Sequence, residues 1–109
     1  RLLDSDDPPT AIVYSNDSMA VAGLGVAQRR GLEVPRDLSI TGFDDTEIGS
    51  HVHPALTSVA TDARRWGTIA ARALLDAVAG APAEHIALDD PRLIIRASTG
   101  APTTTPRAR

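Results

Sequence analysis

Short apolar runs alternate with longer segments whose apolar residues recur at helical spacing. Residues 11–14 (AIVY), 38–43 (LSITGF) and 56–61 (LTSVAT) read as strands, rich in β-branched side chains and bounded by polar or proline-containing turns. Residues 18–30 and 62–79 read as helices. In the second, Trp66, Ile69, Ala70, Ala73, Leu74, Ala77 and Val78 keep a 3.6-residue period, and Arg64, Arg65, Thr68, Arg72 and Asp76 take much of the other face. Asn16 or Asp17 can cap the first helix and Gly31 can end it in a left-handed conformation. Thr61 or Asp62 and Gly80 play the same parts for the second. A further strand is expected within residues 92–98 (RLIIRAS), and the Thr, Pro and Arg-rich residues 100–109 are expected to form a flexible tail.

Strand, polar turn, helix, glycine stop and second strand make a right-handed βαβ unit with parallel strands. The run at 11–14 suits a strand buried on both faces. Ligands of such sheets bind beyond the carboxyl ends of the strands. Ser15, Asn16 and Asp17 follow the first strand, and Asp44 and Asp45 follow the second, so both polar groups fall on that edge. The first helix is apolar around too much of its circumference. Ala20, Leu24 and Ala27 form one stripe, Met19, Ala22 and Val26 another, and Val21 broadens the surface. One sheet contact needs only one stripe; the excess fits either a second contact or a buried Ala/Gly-rich helix.

With 109 residues the chain has the size of one domain. Tyr14, Phe43 and Trp66 are its only aromatics, so its core is built from aliphatic side chains and alanine. The absence of cysteine excludes disulfides and thiolate chemistry, and a net charge of -3 offers nucleic acid no general attraction. No run is long enough to span a membrane, and no signal peptide is evident. The first residue is Arg1 and the one methionine is Met19, inside a helix, which suggests a chain lacking its natural beginning or processed there.

Asn16 and Asp17 offer donors and acceptors suited to hydroxyl pairs of a polyhydroxylated ligand, with helix capping as the plainer alternative. Asp44 and Asp45 are too close in sequence for a glycosidase-like acid pair, and a Mg²⁺ site would need further partners. Ligand hydroxyls or amines suit Asp44 better, and Asp45 is placed to cap the next turn. His51 and His53 lack further zinc ligands nearby and read as surface or interface residues. No nucleophile elbow, phosphate loop or dinucleotide fingerprint is present, so neither catalysis nor a cofactor is expected.

Residues 9–45, PTAIVYSNDSMAVAGLGVAQRRGLEVPRDLSITGFDD, resemble the LacI/GalR family of bacterial repressors. That pattern runs apolar strand, N-D-x-M-A, helix, R-G-L-x-V-P-x-D-(I/L)-S, apolar strand, G-(F/Y)-D-(D/N). HPALTSVATDARRWGTIAARALLDAVAG and RLIIRASTGAP resemble its later segments, so the similarity spans residues 9–102 in order. The resemblance implies an α/β parallel-sheet three-layer sandwich of the type I periplasmic-binding-protein kind, present in part. Residues 1–61 would belong to the second lobe of the effector-binding core, residues 62–91 would be a crossover helix and loop of the first lobe, and residues 92–99 a terminal strand.

By the same resemblance, Asn16 and Asp44 match positions that hydrogen-bond the effector; Thr61 matches one often held by Gln, where threonine shortens the reach. Val21, His51 and Val52 match surfaces that meet a dimer partner. The implied protein is a cytoplasmic homodimer that senses a sugar or related polyol and reaches operator DNA through an N-terminal domain outside this chain. A transporter's periplasmic sugar-binding protein is the alternative. Lacking most of its lobe, the 62–79 helix is expected to expose apolar surface.

Overall fold

The computed structural model describes residues 2–82 and 85–102. The chain divides into two compact units, residues 1–60 with 93–109 and residues 61–92. In the first, a short 3-10 turn (Leu2–Asp4) precedes β1 (Ala11–Val13), α1 (Asp17–Arg29), β2 (Ser39–Thr41), α2 (Glu47–His51) and β3 (Ser58–Ala60). β4 (Arg92–Ile94) spans the boundary between the units and pairs with β3.

β1 and β2 are parallel, with Ala11 opposite Ser39, Ile12 opposite Ile40 and Val13 opposite Thr41. A parallel bridge from Thr41 to Thr57 sets the segment leading into β3 beside β2. The expected parallel βαβ unit is thus present, and its strands end on one edge. Ala20, Leu24 and Ala27 of α1 pack on Leu38, Ile40 and Leu56 to form the core. These are the alanine and leucine positions of the first apolar stripe, spaced to keep one face of α1 on the sheet. Gly23 lies against the Tyr14 ring, and a Cβ there would collide with it. Close approach of strand and helix therefore outweighs the roughly 1 kcal/mol that a helical glycine costs.

α1 is bounded as its sequence implies. The Asn16 side chain accepts from the Met19 amide at 2.8 Å, and Gly31 sits at φ 69° just past the end. Arg30 forms a forked pair with Asp4, 2.5 and 3.2 Å, tying the first residues to the helix terminus. The guanidinium, first through its hydrogen bonds, holds the Asp4 carboxyl well below the usual carboxylate range. Both groups are solvent-exposed, so this pair adds little to stability.

One strand departs from expectation. β1 is not buried on both faces: Val13 is 80% exposed, and only Ile12 of the strand packs on the core. β1 has β2 as its one neighbour among the described strands, which leaves its other flank open. At the other end of the chain, residues 95–100 are tied into the first unit. The Ser98 hydroxyl donates to the Ile40 carbonyl at 2.6 Å and accepts from the Thr57 amide at 2.8 Å. Gly100 donates its amide to the Ser39 hydroxyl at 3.1 Å. Residue 100 is therefore anchored, and residues 103–109 of the expected tail lie outside the described residues.

The second unit is organised by α3 (Ala63–Val78), capped by the Asp62 carboxylate on the Arg65 amide at 2.9 Å and followed by Gly80 at φ 86°. None of its residues is fully buried; Leu74, Leu75 and Val78 are 66%, 67% and 79% exposed. The Trp66 indole N–H is shielded yet meets no acceptor among the described residues. Helices with little buried apolar contact open readily. In the chain by itself, amides of α3 are expected to exchange with solvent deuterium much faster than those of α1. Equal protection of the two helices in a monomer would contradict this.

Candidate effector-binding edge

The carboxyl edge of β1 and β2 is assembled around a backbone hydrogen bond from the Asp17 amide to the Phe43 carbonyl, 2.8 Å. Asn16 and Asp44, each one residue away, are brought to the same edge. The Asn16 carboxamide spends its oxygen on the α1 cap and keeps its amino group unpaired among the described residues. Asp44 is exposed, and its carboxylate meets no partner among those residues.

The backbone here is unusual. Asp44 lies at φ 104° and Asp45 at φ 50°, the only non-glycine residues at positive φ among those described. Such conformations cost about 1–3 kcal/mol each unless surrounding contacts impose them. They are imposed here. The Asp44 amide donates to the Val59 carbonyl at 2.9 Å, and the Asp45 amide donates to the Ser58 hydroxyl at 3.1 Å. The Asp45 carboxylate accepts from Arg96 at 2.6 Å, while Arg96 also donates to the Leu56 carbonyl at 2.8 Å. Asp45 therefore does not cap the following turn, contrary to the expectation from sequence. Its side chain is drawn to the guanidinium instead, and Thr46 takes the N-cap position of α2 without a side-chain capping bond to the helix.

Asp17 is the larger correction. Instead of facing ligand it is completely buried. Its carboxylate accepts from the Ser58 hydroxyl at 2.5 Å and from the Thr46 amide and hydroxyl at 2.6 and 2.9 Å. Three donors converge on it, the complement of an acceptor-only carboxylate. Gly42 and Gly49 give it room: a Cβ on Gly42 would fall onto the carboxylate, and one on Gly49 would lie 3.3 Å from it. Sequence reasoning could not separate Asn16 from Asp17. The clues were indirect, in the glycines at 42 and 49 and the hydroxyl residues at 46 and 58.

Thr61 is half-buried and opens the second unit. Val21 and Val52 are half-buried and pack against the core from the outside, whereas His51 is exposed with Nδ1 2.9 Å from the Glu47 carbonyl. Met19 and Val26 keep α1 partly apolar toward solvent, 50% and 37% exposed. No group of three or more His, Asp or Glu residues placed to hold a metal occurs among the described residues, and none of their helices is long and apolar enough to cross a membrane.

Comparison with known proteins agrees with this architecture. Residues 1–99 match the periplasmic binding protein-like domain family. The chain is 42% identical over 105 residues to the HTH-type transcriptional repressor CytR of Escherichia coli K12, covering 93% of this chain and 30% of that protein. It superposes on a LacI family transcriptional regulator from Bifidobacterium animalis subsp. lactis with TM-score 0.86 and 37% identity, over 94% of this chain and 38% of the other. A complex of the transcriptional regulator CelR with cellobiose gives TM-score 0.74 and 32% identity, over 82% and 28%. The chain thus spans about a third of the length of the relatives it matches. Among the similar solved structures, one is of a dimeric Lac repressor and one is of CelR in complex with cellobiose. The chain belongs to the periplasmic binding protein-like domain family and matches the effector-binding core of its LacI/GalR-type transcriptional regulators.

Proposed function

We propose that this chain supplies one wall of the effector cleft, and part of the dimer surface, of a cytoplasmic LacI/GalR-type transcriptional regulator. The observation that carries this reading is Asp44. A carboxylate that is exposed and unpaired among the described residues is held at φ 104°, on the same sheet edge as Asn16, where α/β folds bind ligands. Backbone strain at an exposed acid suits a group kept in place for a partner. Asp44 accepts from a pair of ligand hydroxyls and the Asn16 amino group donates to a neighbouring one; Thr61 remains an effector position by family resemblance alone. A sugar or related polyol fits that set, and the similar regulator CelR has been solved with cellobiose.

In this reading residues 1–61 belong to the second lobe, residues 62–91 are a crossover helix and loop of the first, and residues 92–99 are the terminal strand. Val21, His51 and Val52 face a second protomer, which accounts for the excess apolar surface of α1. Operator DNA is contacted through a separate domain of the regulator. Effector binds two lobe arrangements unequally, and that difference shifts DNA affinity. Calorimetric titration of the full regulator with mono- and disaccharides and nucleosides tests the reading. Saturable binding of one polyol class is expected; no binding of any of them would contradict it.

A further inference from the structure

We propose that Asp17 is a positioning residue for the ligand wall, a buried carboxylate that forces Asp44 into its left-handed backbone conformation without touching ligand. The proposal rests on the reading of Asp44 as ligand-facing, but its physical core stands apart from that reading. The link is short. One Asp17 oxygen takes both the amide and the hydroxyl of Thr46, fixing the chain two residues after Asp44. The other takes the Ser58 hydroxyl, whose oxygen in turn accepts the Asp45 amide. Ahead of the turn, the Asp17 amide holds the Phe43 carbonyl. Asp44 is thereby clamped at residues 43, 45 and 46 by groups that lead back to Asp17. A free aspartate relaxes to negative φ; this one is held away from it.

The clamp is tested without any ligand. Asp44→Gly removes the penalty for positive φ, so in the otherwise unchanged chain it is expected to raise the folding equilibrium constant about fivefold. In an Asp17→Asn or Ser58→Ala background that gain shrinks toward onefold, because the turn has already relaxed. NMR reads the same event locally: Asp44 gives the strong intraresidue amide-to-Hα NOE of a positive-φ residue, and the background variants weaken it. A merely stabilising Asp17 would lower stability yet leave both the gain and the NOE intact, and that result overturns the proposal. Should neither background variant fold, Thr46→Val removes one donor, keeps the amide and the side-chain volume, and decides by the same two readouts. Effector titration of the Asp17→Asn regulator is a separate arm. A relaxed Asp44 with unchanged affinity would sink the ligand reading of Asp44 while leaving the clamp standing.

Discussion

Asp17→Ala is expected to lower the stability of the chain by about 3 kcal/mol, a large share of what a small domain possesses. Truncation removes the single acceptor of three donors. The Ser58 hydroxyl is then left buried, and the Thr46 amide part-buried, without that partner. A buried donor left unpaired costs about 1–3 kcal/mol, and two are orphaned here. The loss exceeds that of an ordinary surface aspartate, for which a change within about 0.5 kcal/mol is normal. Urea unfolding followed by circular dichroism measures it. A midpoint close to the unsubstituted chain would show that the carboxylate is dispensable.

Gly42→Ala is expected to cost a similar amount by overcrowding the same place. The added Cβ falls onto the Asp17 carboxylate and lies 3.1 Å from both the Asp17 Cα and the Leu56 Cδ2. Leu56 is fully buried and Asp17 is held by three bonds, so neither side yields easily. The backbone cannot withdraw freely, because the Gly42 amide donates to the Thr57 carbonyl at 3.0 Å. Inserting a methyl group into such a site costs about 1–3 kcal/mol or more. The two substitutions share one cause and are expected not to add: with Asp17 truncated, the methyl meets less obstruction. Full additivity in a double-mutant cycle would place the Gly42 effect elsewhere.

Much of this architecture is legible in the residues. The cap at Asn16, the stops at Gly31 and Gly80 and the spacing of Ala20, Leu24 and Ala27 fix α1, α3 and the packed face of α1. The strand–helix–strand order fixes the parallel pairing, and with it the edge that brings Asn16 and Asp44 together. What the chain conceals are contacts between residues distant in sequence. Asp17 and Ser58 are joined across 41 positions, and Asp45 and Arg96 across 51. No local pattern announces either pair. An aspartate after the cap residue and an aspartate in a turn each have an ordinary local use, and only the assembled core removes them from it. The openness of β1 is hidden for a related reason: an apolar run does not reveal which neighbours cover it, and Val13 stands uncovered among the described residues.

The division of labour at this edge is the central claim: Asp17 and Asp45 hold the structure, and Asp44 is left for ligand at a cost in backbone strain. Asp44→Gly in the full regulator, scored for both stability and effector affinity, tests it most directly. Glycine relieves about 1–3 kcal/mol of strain against an entropic loss of about 0.5–1 kcal/mol, so stability should rise slightly. Loss of a charged hydrogen-bonding partner should weaken effector binding by about 10- to 100-fold. The account predicts this opposite movement, a more stable protein that binds worse. Unchanged affinity, or a fall in stability, would contradict it.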